Sequence, residues 1–556
     1  MQAKGLRYME DRAMTPFVEE LGREIGAEKI RTDDAVRASF SRTTAPDGTR
    51  PLGVATPASR EDVRAIVRAA ARHRVALFPI SRGKNWGYGD ACAPQPDNLI
   101  VDLSGMNRII EVNAELAYAV IEPGVTQGEL VSHLERERLP LILDTTGAGP
   151  DASIVGNVLE RGSGHTPYGD HFATSCNYEI VLPDGSIIQT GFGSYPNARA
   201  QNVYKYGIGP TLDGLFTQSN LGIVTRMTVW LMAAPENFAM FIVAFREKAS
   251  LGPFMEAVRR LRLAGSIRST MHCFNRGRLL AGATRFPWDK ADGRQALEVA
   301  HPDVYQAMCE QFGLPEWGAT GSIHGSAAEV RATGKTIRAA LKSVPGLERI
   351  VVLGERAFAT SQTLARWLRP VAGSSLLLKR LDSIRLGRDM LQGRPSWETL
   401  KGSHWRARTA PASSQTDPNE TGSGLAWIAP ILPLTASAMS EVSELAETAF
   451  HRYGFEYQAT FTAFSERAAI AVLSISFDNA SGDERDRARN CQGELLDGLL
   501  ARGYVPYRGP VSVMRPIWKV APEYWRGVGS LKACIDPGGV IAPGRYIPEA
   551  TAGVQT

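Results

Sequence analysis

The chain has 556 residues, of which 44% are hydrophobic, too many for one ordinary core. It should divide into at least two domains sharing a cleft that can bury a large ligand. Lys and Arg exceed Asp and Glu by only four, with no run of like charge and no basic stripe, which argues against nucleic acid as a partner.

Six cysteines, at positions 92, 176, 273, 309, 491 and 534, lie far apart. None forms a C-x-x-C pair or a Cys/His spacing suited to zinc, so they read as reduced thiols and no metal is expected. The first twenty residues carry charges at Lys4, Arg7, Glu10, Asp11 and Arg12 where a secretory signal needs an apolar run. No later stretch is long and apolar enough to span a bilayer, so no membrane association is expected and the cytoplasm is the default location, with the periplasm left open.

In chain order, apolar residues at 63, 66, 67 and 70 predict a helix over 59–72, and the run Val75-Ala-Leu-Phe-Pro-Ile80 predicts a buried strand. Strands follow at 98–103 and 117–122, and Pro123-Gly124-Val125-Thr126 turns the chain into a helix over 127–137. Further strands at 177–182 and 186–190 flank Pro183-Asp184-Gly185, a composition that hairpin turns demand. After Pro235 the pattern shifts to longer helices, such as 254–263 and 436–453, interleaved with strands such as 470–475. The fold class is therefore α+β. The stretch 410–422 lacks periodicity and reads as a mobile loop.

Directly after the strand that ends at Ile80 comes Ser81-Arg-Gly-Lys-Asn-Trp-Gly-Tyr-Gly89. Its three glycines permit backbone turns whose N–H groups converge on an anion such as a pyrophosphate, although it is neither a G-x-G-x-x-G fingerprint nor a Walker loop. Three later blocks are as distinctive. They are Gly156-Asn157-Val-Leu-Glu160-Arg161-Gly-Ser-Gly-His-Thr166-Pro-Tyr-Gly-Asp170-His171, then Gln218-Ser219-Asn220-Leu-Gly222-Ile223-Val224-Thr225, and Ile535-Asp536-Pro537-Gly-Gly-Val-Ile-Ala-Pro543-Gly544-Arg545. With these four blocks in order, the sequence resembles the vanillyl-alcohol oxidase and p-cresol methylhydroxylase family of flavoproteins over nearly its whole length.

The resemblance implies an N-terminal segment (1–51), an FAD-binding domain (52–235) of the type found in p-cresol methylhydroxylase, a cap domain (236–503), and a C-terminal segment (504–556) that returns to the FAD domain. It implies that Pro79, Ser81, Arg82, Gly83, Lys84, Asn85 and Gly87 cradle the FAD pyrophosphate. Gly147, Ile154, Gly156, Asn157, Glu160, Arg161, Thr166, Asp170, Gly222, Ile223 and Arg545 complete the cofactor set. An ion pair between Arg161 and Asp170 is an equal reading of those two residues, and His165 and His171 read as hydrogen-bonding residues behind the cofactor. The implied assembly is a homo-oligomer, a dimer, with dioxygen or a c-type cytochrome as electron acceptor.

The implied reaction removes a hydride from the benzylic carbon of a para-substituted phenol, giving a quinone methide that is hydrated or oxidised further. A phenol ionises near pH 10, so holding it as phenolate at neutral pH requires a depression of roughly three units, about 4 kcal/mol. A fixed cation and two hydroxyl donors in a water-poor site can supply that. Tyr88, Tyr507 and Arg508 match the family's positions for this set. Two positions depart from the family. Ala148 stands where its oxidases carry an Asp near flavin N5, leaving Asp144 and Asp151 as the nearest carboxylates, with Asp151 a candidate base on water or simply an exposed loop residue. Leu425 and Ser403 stand where the family's His or Tyr bonds to FAD, so the cofactor is expected to be non-covalent, with the adjacent His404 the only nearby histidine that a shifted linkage would use. The competing readings are a 2-hydroxy-acid dehydrogenase on the same scaffold, which needs further cations for a carboxylate, and a flavin-binding subunit without turnover.

Overall fold

A computed structural model describes residues 11–368 and 375–548. Strands Ile30–Arg31, Gly53–Ala55, Leu99–Asp102 and Leu77–Ile80 lie in that order in a first sheet, the last three parallel. Between two of them runs helix Arg60–His73. The Ser59 side chain caps its start by accepting from the Asp62 N–H, and Arg74 ends it in the left-handed conformation. Val63, Ile66, Val67 and Ala70 are its buried face, as their spacing predicts. Parallel strands open their ligand crevice at their carboxyl ends, and the glycine loop leaves Leu77–Ile80 at that end.

The second sheet is antiparallel, in the order Ile109–Asn113, Tyr118–Ile121, Ile223–Trp230, Ser175–Val181, Ile187–Gln189. Its last hairpin turns at Gly185, whose φ of 78° suits a residue without a Cβ. Helix Gln127–Arg136 starts at Thr126 with a capping box shared with Glu129.

The third sheet is larger and antiparallel, running Leu347–Gly354, Asn237–Phe245, Trp317–Gly325, Met271–Asn275, Ala459–Ala463, Ala468–Asp478, Ser423–Ile428. Helices Leu251–Leu263, Ala327–Leu341, Ala436–Arg452 and Gly482–Ala501 pack with it around one core. The period-two alternation of its strands divides their side chains. Met271 and Cys273, Phe461 and Ala463, Ala471 and Leu473 join the helical core. His272 and Phe274, Thr460 and Thr462, and Val472 instead face a cavity on the other side.

The C-terminal segment closes back on the first sheet. The Leu77 N–H donates to the Val540 carbonyl at 2.8 Å, and the Ala542 N–H donates to the Leu77 carbonyl at 2.7 Å. Asp536 holds this tail by accepting from the N–H groups of Val540 and Ile541, each at 2.9 Å, and it pairs with buried Lys532 at 2.5 Å.

The stretch expected to be a mobile loop behaves differently in its two halves. Residues 410, 412, 413 and 415 are exposed, but the later part is docked: Pro418 is buried and Asp417 pairs with Lys84 of the glycine loop at 2.6 Å. A charge anchor of this kind leaves no periodicity for sequence patterning to register. All six cysteines are free, five of them buried. No helix among the described residues is long and apolar enough to cross a membrane.

Candidate active site

A cavity of about 430 Å³ lies where the glycine loop, the Gly156 helix, the C-terminal tail and the open face of the large sheet meet. Gly83, Gly87 and Gly89 all have positive φ, at 62°, 76° and 123°. Gly87 turns its backbone against Trp427, whose ring atoms would lie 2.8 Å from any Cβ placed there. The N–H groups of Gly83, Lys84 and Asn85 donate to no protein acceptor among the described residues. Three adjacent unsatisfied donors beside a lysine fit a pyrophosphate.

Of the residues expected to hold FAD, Pro79, Ser81, Arg82, Gly83, Lys84, Asn85, Gly147, Gly156, Asn157, Glu160, Gly222, Ile223 and Arg545 line this cavity. Gly87 acts from behind, through Trp427. Ile154, Arg161, Thr166 and Asp170 do not face it. Ile154 belongs to the apolar core beneath, and the Thr166 N–H donates to Asp144 at 2.8 Å. Arg161 and Asp170 do not pair either. Arg161 donates to the Thr217 hydroxyl at 3.0 Å and lies over the Phe172 ring, while Asp170 accepts from the Ala173 N–H. Their nearness in sequence carried no information about direction, since Arg161 turns away in a left-handed conformation with φ of 51°.

Charge concentrates at one end. The guanidinium of Arg508 lies 4.0 Å from the centroid of the Tyr88 ring, donates to the Asn85 side-chain oxygen, and pairs through Nε with Glu160 at 3.2 Å. That Nε contact is poorly aligned, leaving the buried Nε–H without a hydrogen-bond acceptor. Glu160 also accepts from Arg545 at 3.0 Å and from the Tyr546 hydroxyl. Burial pushes the Glu160 carboxyl up, but Arg545 and Arg508 outweigh it and hold it below its usual range. Two arginines against one carboxylate leave a net charge of plus one in a buried cluster. Burial, and next the neighbouring Tyr507, push the Tyr88 hydroxyl well above the usual phenol range, so Tyr88 stays a neutral donor.

Tyr507 is half-buried and is held by its backbone: its N–H donates to the Ala429 carbonyl at 3.0 Å and its carbonyl accepts from Gln218 at 2.8 Å. Its ring is not part of the cavity wall, and it acts on Arg508 and Tyr88 from the side. Asp151 is exposed and outside the cavity, which places it with solvent rather than with the reacting atoms. Ala148 lines the cavity within an apolar cluster of Trp86, Leu400, Leu425, Trp397 and Trp427. Leu425 and Ser403 also line it, whereas His404 is buried elsewhere, bonded to the Thr421 and Ser423 hydroxyls.

Sequence reasoning missed two features. His272 Nε2 and His165 Nδ1 are 2.9 Å apart, and His272 Nδ1 meets the Thr462 hydroxyl at 2.9 Å. Burial, and then His165, push His272 down to about 3; burial likewise lowers His165, so both rings are neutral at working pH. The second is Arg278, which enters the wall from helix Arg276–Ala283. The alternation in Met271–Asn275 could have signalled His272, since Met271 and Cys273 on either side of it are core-directed. Nothing in the sequence near Arg278 sets it apart.

Known proteins of similar sequence and fold are as follows. A family model for an FAD binding domain matches residues 51–191. The 1'-carboxy-chondrochloren decarboxylase of Chondromyces crocatus is 34% identical over 540 residues, covering 96% of this chain and 97% of that protein. The chain belongs to the vanillyl-alcohol oxidase and p-cresol methylhydroxylase family. Another member, the flavoprotein subunit of the hydroxylating 4-cresol dehydrogenase of Pseudomonas putida, is 29% identical over 501 residues, 89% of this chain and 87% of that one. The crystal structure of p-cresol methylhydroxylase with substrate bound matches with a TM-score of 0.86 at 26% identity, over 98% of both chains. As a member of this family the protein is an FAD-dependent oxidoreductase, and its α+β architecture with this type of FAD-binding domain is the family's.

Proposed function

We propose that the protein oxidises a para-substituted phenol by removing a hydride from its benzylic carbon. The observation that carries this reading is the buried cluster of Arg508, Arg545 and Glu160, whose unbalanced positive charge lies against the ring of Tyr88, a neutral hydroxyl donor, in the cavity wall. The glycine loop and the Gly156 and Gly222 segments would hold FAD, which would supply the hydride acceptor. Arg508 lowers the bound phenol's pKa, and Tyr88 donates a hydrogen bond that the phenolate accepts more strongly than the phenol. Asn85 fixes the Arg508 fork, and the apolar wall around Ala148 keeps water from screening the charge.

Loss of the hydride leaves a neutral quinone methide, electrophilic at the benzylic carbon, with two possible fates. Water can add, oriented by the neutral His165–His272 pair that lines the cavity, Asp151 being outside it. Alternatively, a carboxylate on the next side-chain carbon can leave as carbon dioxide: that C–C bond breaks, its electron pair forms the C=C bond, and the ring recovers its phenolate. The similarity to a protein named a decarboxylase supports the second route, as does Ala148, which removes the carboxylate best placed to activate water. A 2-hydroxy acid would have no use for Tyr88 beside Arg508.

The test is anaerobic mixing with a panel of 4-alkylphenols and their O-methyl ethers. The phenols should bleach the flavin absorbance and the ethers should not, while equal bleaching by both would defeat the reading. Mixing the reduced protein with air or with cytochrome c then decides between dioxygen and a c-type cytochrome as acceptor.

A further inference from the structure

Among the described residues, Arg278 is a cation without a partner. Its backbone is fixed, because its N–H donates to the Asn275 side chain that caps helix Arg276–Ala283, at 2.9 Å. Its guanidinium lines the cavity and rests against the backbone at Gly402, where a Cβ would stand 3.2 Å from Nη1. Among the described residues it forms no ion pair and no side-chain hydrogen bond. Other arginines in the interior are compensated: Arg406 by Glu456 and Glu484, Arg508 and Arg545 by Glu160, and Arg262 by two backbone carbonyls. For Arg278 burial alone acts, lowering its pKa with nothing opposing, yet a guanidinium remains charged at any working pH.

An uncompensated cation in a desolvated wall is costly, and fixed donors there are matched to an anion that arrives. The FAD phosphates are accounted for at the glycine loop. The segment against which Arg278 rests continues into Thr399, Leu400 and Ser403, which are uncharged cavity residues, and into the apolar cluster around Ala148. Neutral His272 adds no charge. The cavity therefore holds one surplus positive charge at Arg508 and a second at Arg278, on a different element.

We propose that Arg278 binds a carboxylate on the para side chain of the substrate, so that the substrate class is the 4-hydroxyphenyl carboxylic acids rather than neutral alkylphenols. This rests on the phenol reading above, and the probes below separate the two.

Two ligands without a benzylic hydrogen cannot be oxidised and report binding alone. One is 2-(4-hydroxyphenyl)-2-methylpropanoate; the other, 4-tert-butylphenol, has a methyl group in place of the carboxylate. Titration calorimetry on the FAD-loaded protein should show the acid binding about ten- to a hundredfold more tightly than 4-tert-butylphenol, the worth of a charge-assisted pair. Arg278→Met should remove that preference and leave 4-tert-butylphenol binding unchanged, and Arg278→Lys should restore part of it. The proposal is overturned if the wild type binds the acid no better than 4-tert-butylphenol, or if Arg278→Met weakens both ligands equally, as it would if Arg278 served the flavin or the fold. The analogue lacking the hydroxyl, 2-methyl-2-phenylpropanoate, isolates the other end: if it binds as tightly as the phenolic acid and still depends on Arg278, the carboxylate site stands and the phenolate site falls.

Discussion

Replacing Arg508 with alanine should slow flavin reduction more than any other single change in the cavity while leaving FAD bound. The cluster of Arg508, Arg545 and Glu160 then falls from a net charge of plus one to zero. Glu160 keeps Arg545 at 3.0 Å and the Tyr546 hydroxyl, so no carboxylate is orphaned and the fold should survive. A unit charge about 4 Å from the phenolate oxygen contributes about 4 kcal/mol at an effective dielectric constant near 20, or roughly three pKa units. The bound phenol would return towards pH 10. Losing only one charge-assisted hydrogen bond would slow the hydride step by about tenfold or more, and losing the whole charge interaction by several hundredfold at neutral pH. Stopped-flow reduction without oxygen, followed from pH 6 to 10, measures this. The variant's rate should climb by about tenfold per pH unit where the wild type is flat. A variant that reduces its flavin at the parental rate with a flat profile would show that the phenolate is not held at Arg508.

Denaturation should release all FAD into the supernatant, because Leu425 and Ser403 offer the cofactor no histidine or tyrosine and His404 is engaged elsewhere; flavin fluorescence retained on the polypeptide in a denaturing gel would contradict this. Arg406→Ala should destabilise the protein by about 3–5 kcal/mol, since it strips Glu456, 1% exposed, of its counter-charge and also frees the Gly454 carbonyl; a urea midpoint unchanged from wild type would refute it. His272 has a folded pKa of about 3 against 6.5, so its neutral form contributes stability that is complete above pH 6.5 and is lost as pH falls towards 3. Moving from pH 7.5 to 5 should therefore cost the wild type about 2 kcal/mol that His272→Gln does not lose, with His165 lowered in the same direction, as measured by urea unfolding at both pH values.

Whereas the three later blocks and the pair Tyr88 and Arg508 came from the family resemblance, the glycine loop was legible in the sequence because it is a local pattern tied to a local backbone demand. The strand preceding the loop and the helix Arg60–His73 were legible for the same reason, through periodicity and capping. Asp417 reaching Lys84 was not, since the partners are 333 positions apart and neither stands in a patterned element. Direction was the second blind spot. Arg161 and Asp170 sit inside a family block yet point away from the cavity, whereas His272 points into it from a strand that composition alone marks only as apolar. Arg278 is invisible to any pattern, because what distinguishes it is the absence of a counter-charge among the described residues.

The bond between Leu77 and the tail sets an order of events during synthesis. Leu77 follows helix Arg60–His73, but its partners Val540 and Ala542, and Arg545 on Glu160, leave the ribosome long after it. The matched FAD-binding stretch, 51–191, therefore emerges early with an open sheet edge and a carboxylate awaiting its counter-charge. Cofactor loading should therefore wait for the tail, and a nascent chain stalled short of residue 540 should remain colourless however much of the glycine loop it displays.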